Sequence, residues 1–176
     1  MKGADERLSK ELETIIDGVV RQVLSQNVQS STDKKKHTLS KMTLSVAREL
    51  IRAVQSKAKD MGVKAVVAVS DAGGNPIAVE SMDDAYIASF DIAVNKAYTV
   101  VALKMPTKEL AKLALPGGSL YGIQHTNGSR IVIFGGGEVL DNDFGVIGGL
   151  GVSGGSAKQD TLLGEYGKQY FLEKLC

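Results

Sequence analysis

Arg130-Ile-Val-Ile-Phe134 leads into Gly135-Gly136-Gly137, a short turn, and Phe144-Gly-Val-Ile-Gly-Gly-Leu-Gly-Val-Ser-Gly-Gly-Ser156. Nine of the chain's 20 glycines fall in this stretch, between apolar, β-branched runs. Such flanks predict two strands interrupted by glycine, joined around Glu138–Asp143, rather than a flexible linker. Glycine weakens a strand unless a bulge, a bend, a ligand or another backbone uses the room it leaves.

Working outward, Val63-Lys-Ala-Val-Val-Ala-Val-Ser70 is apolar enough for a central strand. Asp71-Ala-Gly-Gly-Asn-Pro76 is rich in turn residues, and Ile77-Ala-Val-Glu80 returns as a hairpin. Before it, Thr43 is placed to cap a helix whose buried face is Ala47, Leu50, Ile51, Val54, Ala58 and Met61, with Gly62 as the stop. After it, Ala85–Lys104 is apolar nearly all round. That predicts a helix buried on several sides, one of them a subunit interface, with Asp83 and Asp84 at its positive end. Lys96, inside this helix, reads first as a lysine reaching for solvent. Pro106 ends the helix, a short one follows over Thr107–Leu115, and Pro116-Gly117-Gly118 opens a loop. Ser156 and Gln159 form a capping box for a last helix, 156–174. The order α-β-β-α-α-β-β-α predicts an α+β domain: an antiparallel sheet of about five strands with helices packed on it.

Residues 1–26 are separate in character. Leu8, Leu12, Ile15, Ile16, Val19, Val20 and Val23 recur at helical spacing, opposite Lys10, Glu11, Glu13, Asp17 and Arg21. A helix this short is marginal alone in water, so its apolar stripe needs a partner. Residues 27–41 are polar, with a three-lysine run, and read as a flexible linker. The chain thus divides into a 1–26 amphipathic helix, a 27–41 linker and a 42–176 domain. The helix either docks on another protein or folds back on its own domain or a neighbour's copy.

Composition narrows the function. Twenty-one basic residues against 20 acidic leave no global field for nucleic acid or a membrane surface. Four Phe, five Tyr and no Trp argue against a base-stacking platform. The single cysteine, Cys176, excludes an internal disulfide and fits a reducing compartment. No signal peptide and no apolar run long enough for a membrane span is visible.

Gly149-Leu-Gly151-Val-Ser-Gly154 matches G-x-G-x-x-G ahead of a helix. A dinucleotide fold needs a further parallel strand and an acidic residue after that helix, and here the helix is the last element. There is no P-loop motif. The glycines could still leave helix-start amides free for an anion. His37 and His125 stand far apart with no second ligand near either, so no metal cluster is expected. His37 lies in the linker. His125 follows Tyr121 in a Gly- and Asn-rich loop, and one imidazole suffices as axial ligand to a tetrapyrrole iron. No nucleophile–base grouping is visible. Asp83-Asp84 and Asp141/Asp143 read as a helix cap and a turn rather than an acid–base pair.

Seven motifs, in order, carry a resemblance. They are Asp71-Ala-Gly-Gly-Asn75, Ser81-Met-Asp-Asp-Ala85, Asn95-Lys-Ala-Tyr-Thr99, Pro116-Gly-Gly118, Leu120-Tyr-Gly-Ile-Gln124, Ile133-Phe-Gly-Gly-Gly137 and Ile147–Ser156. Together, over about residues 42–170, they resemble the GlcG/HbpS family, in particular the C-terminal domains of the propanediol-utilisation proteins PduO. The resemblance implies a profilin-like α+β domain, usually oligomeric, several relatives of which bind haem, and it links the PduO branch to corrinoid metabolism. It also implies that this chain, without the preceding adenosyltransferase domain, does not adenosylate cobalamin by itself. Set beside such a module, the 1–26 helix and its linker resemble the encapsulation peptides of bacterial microcompartment cargo, which bind shell proteins or one another.

The expectation is therefore a non-catalytic, homo-oligomeric, cofactor-binding module inside a cytoplasmic microcompartment, with haem as the cofactor. Its oligomer would be built on the 85–104 helix. The alternatives are an accessory protein reducing or handing on a corrinoid or flavin, and an assembly protein with no cofactor. The candidate cofactor-binding set is His125, as iron ligand, with Tyr121, Lys96, Gly135, Gly136, Gly154 and Gly155. The two glycine runs read as adjoining sheet edges stripped of side chains, with room for a flat ligand or a neighbouring subunit.

Overall fold

The computed structural model of the chain describes residues 39–176 and, upstream of them, Gly18 alone. The expected 1–26 helix, most of the linker and His37 lie outside the described residues.

Helix α1 (Leu44–Asp60) opens on Thr43, whose hydroxyl accepts from the Val46 amide at 3.3 Å, and buries the five predicted residues from Ala47 to Ala58. Strands β1 (Val66–Asp71) and β2 (Pro76–Ser81) form the expected hairpin. Its turn is tied by Asp71 Oδ1, which accepts from the amides of Gly73 (2.8 Å) and Asn75 (2.9 Å). Helix α2 (Ala88–Leu103) and the short α3 (Thr107–Leu113) follow, then two 3₁₀ turns over Ile123–His125 and Asn127–Ser129. Strands β3 (Gly137–Asn142) and β4 (Gly145–Ser153) precede α4 (Ala157–Tyr170), which carries the expected capping box and unwinds into a π turn over Phe171–Leu175.

All pairings are antiparallel, in the order β2-β1-β4-β3. Alternation sorts the two faces. Val67 and Val69 of β1, Leu150 and Val152 of β4 and Leu140 of β3 join α1, Leu163 of α4 and Phe171 in the main core. On the other face Val66 and Ala68 meet Ala93 and Ala97, and Val139 meets Val100 and Val101, so α2 covers most of that side, with Thr107 of α3 joining it over Gly137.

Among the described residues the sheet has four strands rather than about five, and the second hairpin is shifted. Arg130–Phe134 pairs with no described strand: it runs beside α2, where the Val132 amide donates to Thr99 Oγ1 (3.0 Å) and Ile131 is buried. The segment read as the turn, 138–143, is itself mostly strand, and the reversal falls at Asp143-Phe144. A β-branched run looks like a strand whether a sheet edge or a helix flank covers it. The expected cap at Asp83-Asp84 is also absent. Asp84 has φ 60° and pairs with Lys64 at 2.7 Å in an exposed turn, and α2 starts four residues beyond it without a side-chain cap. No described helix is long and apolar enough to cross a membrane.

Candidate functional site

The glycine-rich strands have their room taken by the chain itself. β4 is an inner strand, and its Gly149 and Gly151 face α2. A Cβ on Gly151 would overlap the carbonyl oxygen of Ala93, and one on Gly149 that of Ala97. The helix backbone rests on the strand backbone, so neither a flat ligand nor a second subunit is seated there.

Lys96 is the centre of what the other glycines surround. It is fully buried, not solvent-seeking as its residue type suggested. Its Nζ donates to Asp160 Oδ2 (2.9 Å) and to the carbonyl of Val152 (2.7 Å), with the Phe134 ring centroid 4.8 Å away. Burial pulls the lysine pKa below its ordinary 10.5, and the Asp160 charge and hydrogen bond oppose that pull. Gly136, at φ 114°, brings its backbone onto the pair: a Cβ there would lie 2.7 Å from the ammonium and 2.8 Å from Asp160 Cβ. Gly135 packs against Thr161. The Gly155 amide donates to Asp160 Oδ1 at 2.9 Å, and that of Ser156 to Gln159 Oε1 at 3.0 Å. These helix-start amides are therefore engaged by the chain's own side chains and are not free for an external anion. Gly154 and Gly155 still border a cleft of about 580 Å³ with Lys64, Asp84 and Tyr86. Lys96, Gly135, Gly136 and Gly155 are thus brought together as a structural junction of α2, β4, α4 and the segment entering β3. Two of the three ammonium N–H groups are held within this junction, by Asp160 and the Val152 carbonyl.

His125 and Tyr121 lie elsewhere, on the loop between α3 and the Arg130 segment. Both are exposed, Tyr121 at 66%. Among the described residues the imidazole makes one long polar contact, Nε2 to Gln124 Nε2 at 3.4 Å. Gln124 Oε1 is buried with no partner among the described residues. The loop is pinned to α2 through Asn127, whose amide reaches the Tyr98 hydroxyl at 3.5 Å, and through Arg130, whose guanidinium carbon stands 3.6 Å from the Tyr98 ring centroid. The residue types along this loop, an exposed imidazole, an exposed phenol and a cation, suit a macrocycle carrying an iron and acidic groups.

Sequence reading missed one buried group. Glu138, on the edge strand β3, turns inward towards Gly164 of α4 and is 3% exposed, with Oε1 unpartnered among the described residues. It borders a cleft of about 410 Å³ with Lys108, Glu165, Lys168 and Leu172. Lys108 is paired with Glu165, and Lys168 with Asp141 at 3.0 Å. An inward charge on an edge strand discourages edge-to-edge pairing. Desolvation raises the Glu138 pKa above its ordinary 4.5, against the pull of Lys108 and Lys168. The folded state therefore favours the protonated acid, and this contribution to stability, complete below pH 4.5, is lost as pH rises through the folded pKa. Glu138→Gln is expected to stabilise the domain by about 1–2 kcal/mol at neutral pH and to be neutral in acid. Thermal melts of both proteins from pH 4 to 8 check it; a difference that does not shrink in acid would contradict the protonation account.

A family model described as "Haem degrading protein HbpS-like" matches residues 42–168. An uncharacterised 15.0 kDa protein from the dhaT-dhaS intergenic region of Citrobacter freundii is 45% identical over 139 residues, covering 79% of this chain and 98% of that protein. The corrinoid adenosyltransferase PduO of Salmonella typhimurium is 42% identical over 112 residues, 64% of this chain but 33% of its own length. The chain thus spans a third of that relative. Among solved structures, one titled as a PduOC–haem complex superposes with a TM-score of 0.70 at 36% identity, covering 73% of this chain and 94% of the other.

Proposed function

The chain belongs to the HbpS-like family, and on that premise we propose that it is a non-catalytic haem-binding module, carried as cargo into a bacterial microcompartment. The observation that carries the haem reading is the exposed His125 imidazole on a loop held to α2, four residues after the exposed Tyr121. A relative crystallised with haem supports it. Haem, once bound, would supply a redox-active iron; the chain's part is to present His125 to it, with Tyr121 and Leu115 against the macrocycle. Tyr86, Ile87 and Phe90, all exposed at the start of α2, support self-association through the 85–104 helix. The apolar stripe from Leu8 to Val23 would dock on a shell protein, by helix-in-groove or helix–helix burial. The accessory reading, reduction or handing on of a corrinoid, is supported by the PduO relatives.

The test is titration of the full chain with ferric haem. A Soret band shifted from free haem, and returned towards it by His125→Ala, is expected. A band untouched by that substitution removes the ligand assignment. No band in either oxidation state removes the haem reading and favours an assembly role. Deletion of residues 1–27 is expected to leave melting and Soret absorption unchanged and to abolish co-purification with shells; loss of folding would instead show that the helix packs on its own domain.

A further inference from the structure

The geometry points to Arg130 as the carboxylate-binding group of the His125 loop, an assignment that rests on the haem reading above. Arginine at a surface is usually neutralised or mobile, and this one is neither. Its guanidinium lies over the Tyr98 ring, with a 3.6 Å separation from the centroid. That ring lies over Gly74, where a side chain would collide with its Cδ2, and its hydroxyl accepts from Asn127 Nδ2 at 3.5 Å. The arginine backbone is held at both ends: its amide donates to the Asn127 carbonyl (3.4 Å) and its carbonyl accepts from Thr99 Oγ1 (3.3 Å).

Against this geometry, the charge has no counter-ion among the described residues. None of the described ion pairs includes Arg130, and the side chain's one hydrogen bond is a long contact from Nε to Asn95 Oδ1, 3.5 Å. The remaining N–H groups of the planar fork are unengaged among the described residues. A stacked, immobilised, unneutralised guanidinium is preorganised to accept a carboxylate in two parallel hydrogen bonds. It stands five residues from His125 in sequence, across the second 3₁₀ turn. On this assignment, a ligand whose iron meets the imidazole places an acidic substituent on the Arg130 guanidinium. For haem, that substituent is a propionate.

The experiment compares ferric haem with its dimethyl ester, in which both propionates are uncharged. Wild-type chain is expected to bind haem roughly tenfold more tightly than the ester, as for a charge-assisted hydrogen bond. Arg130→Gln is expected to bind both with the ester's affinity while keeping the wild-type Soret position, because His125 is untouched. Arg130→Lys, a point charge without the fork, is expected to fall between. Arg130→Gln that keeps the full preference for haem overturns the assignment and leaves the haem reading intact. Wild-type chain that shows no Soret change with either porphyrin overturns both. Should Arg130→Gln fail to fold, as read by its melt, the Arg130→Lys ratio decides: an undiminished preference overturns the carboxylate role, and a reduced one supports it.

Discussion

Lys96→Met is expected to cost the domain about 3–5 kcal/mol, the usual result of removing one partner of a buried ion pair. The cost does not come from losing an attraction. It comes from Asp160, only 2% exposed, which keeps the Gly155 amide but loses its ammonium. The Val152 carbonyl loses its donor at the same time. The melting temperature should fall by roughly 10–15 °C. Lys96→Met combined with Asp160→Leu should recover most of the loss, since apolar residues of similar volume replace buried pairs at little net cost. Melts of the two single variants and the double variant test this. Equal losses in all three would mean that the pair's value lies in its shape and not in its charges.

Gly151→Ala is expected to be nearly as damaging, about 3 kcal/mol, from the addition of one methyl group. The new carbon would overlap the Ala93 carbonyl oxygen and sit 2.7 Å from the Ala97 nitrogen. Both are backbone atoms of α2, so no rotamer change relieves the clash. The helix must lift off the sheet, and it carries most of the packing on that face. Gly73→Ala is the control, because its nearest neighbour, 3.0 Å away, is the end of the Asn75 side chain. It should cost under about 1 kcal/mol. Denaturant midpoints for both variants measure the contrast; comparable losses would show that close packing on β4 does not discriminate between them.

Much of this fold was legible from local signals. Thr43, the Asp71–Asn75 turn and the Ser156/Gln159 capping box each stand where the sequence put them, because caps and turns are decided within a few residues. The Arg130–Phe134 run was misread because β-branched residues report burial, not which neighbour buries them. Lys96 was misread for a related reason. The residue that makes it buriable, Asp160, is 64 positions away in another helix, and nothing near either residue announces the other. Glu138 was invisible for want of any motif at all. As for the site, His125 and Tyr121 were legible as residue types in a loop. The stacking of Arg130 on Tyr98 was not, since it depends on how that loop returns to α2.

The strand order carries a consequence for synthesis. β1 is an inner strand whose second neighbour, β4, begins at Gly145, long after Asp71 has left the ribosome. Until then the Val66–Val69 run has only β2 beside it, and one of its edges lies open. Contacts this distant in sequence close slowly. A nascent chain halted before β4 would therefore expose a sticky apolar strand, and messages truncated in that interval should yield aggregates or chaperone-bound chains rather than a smaller folded unit.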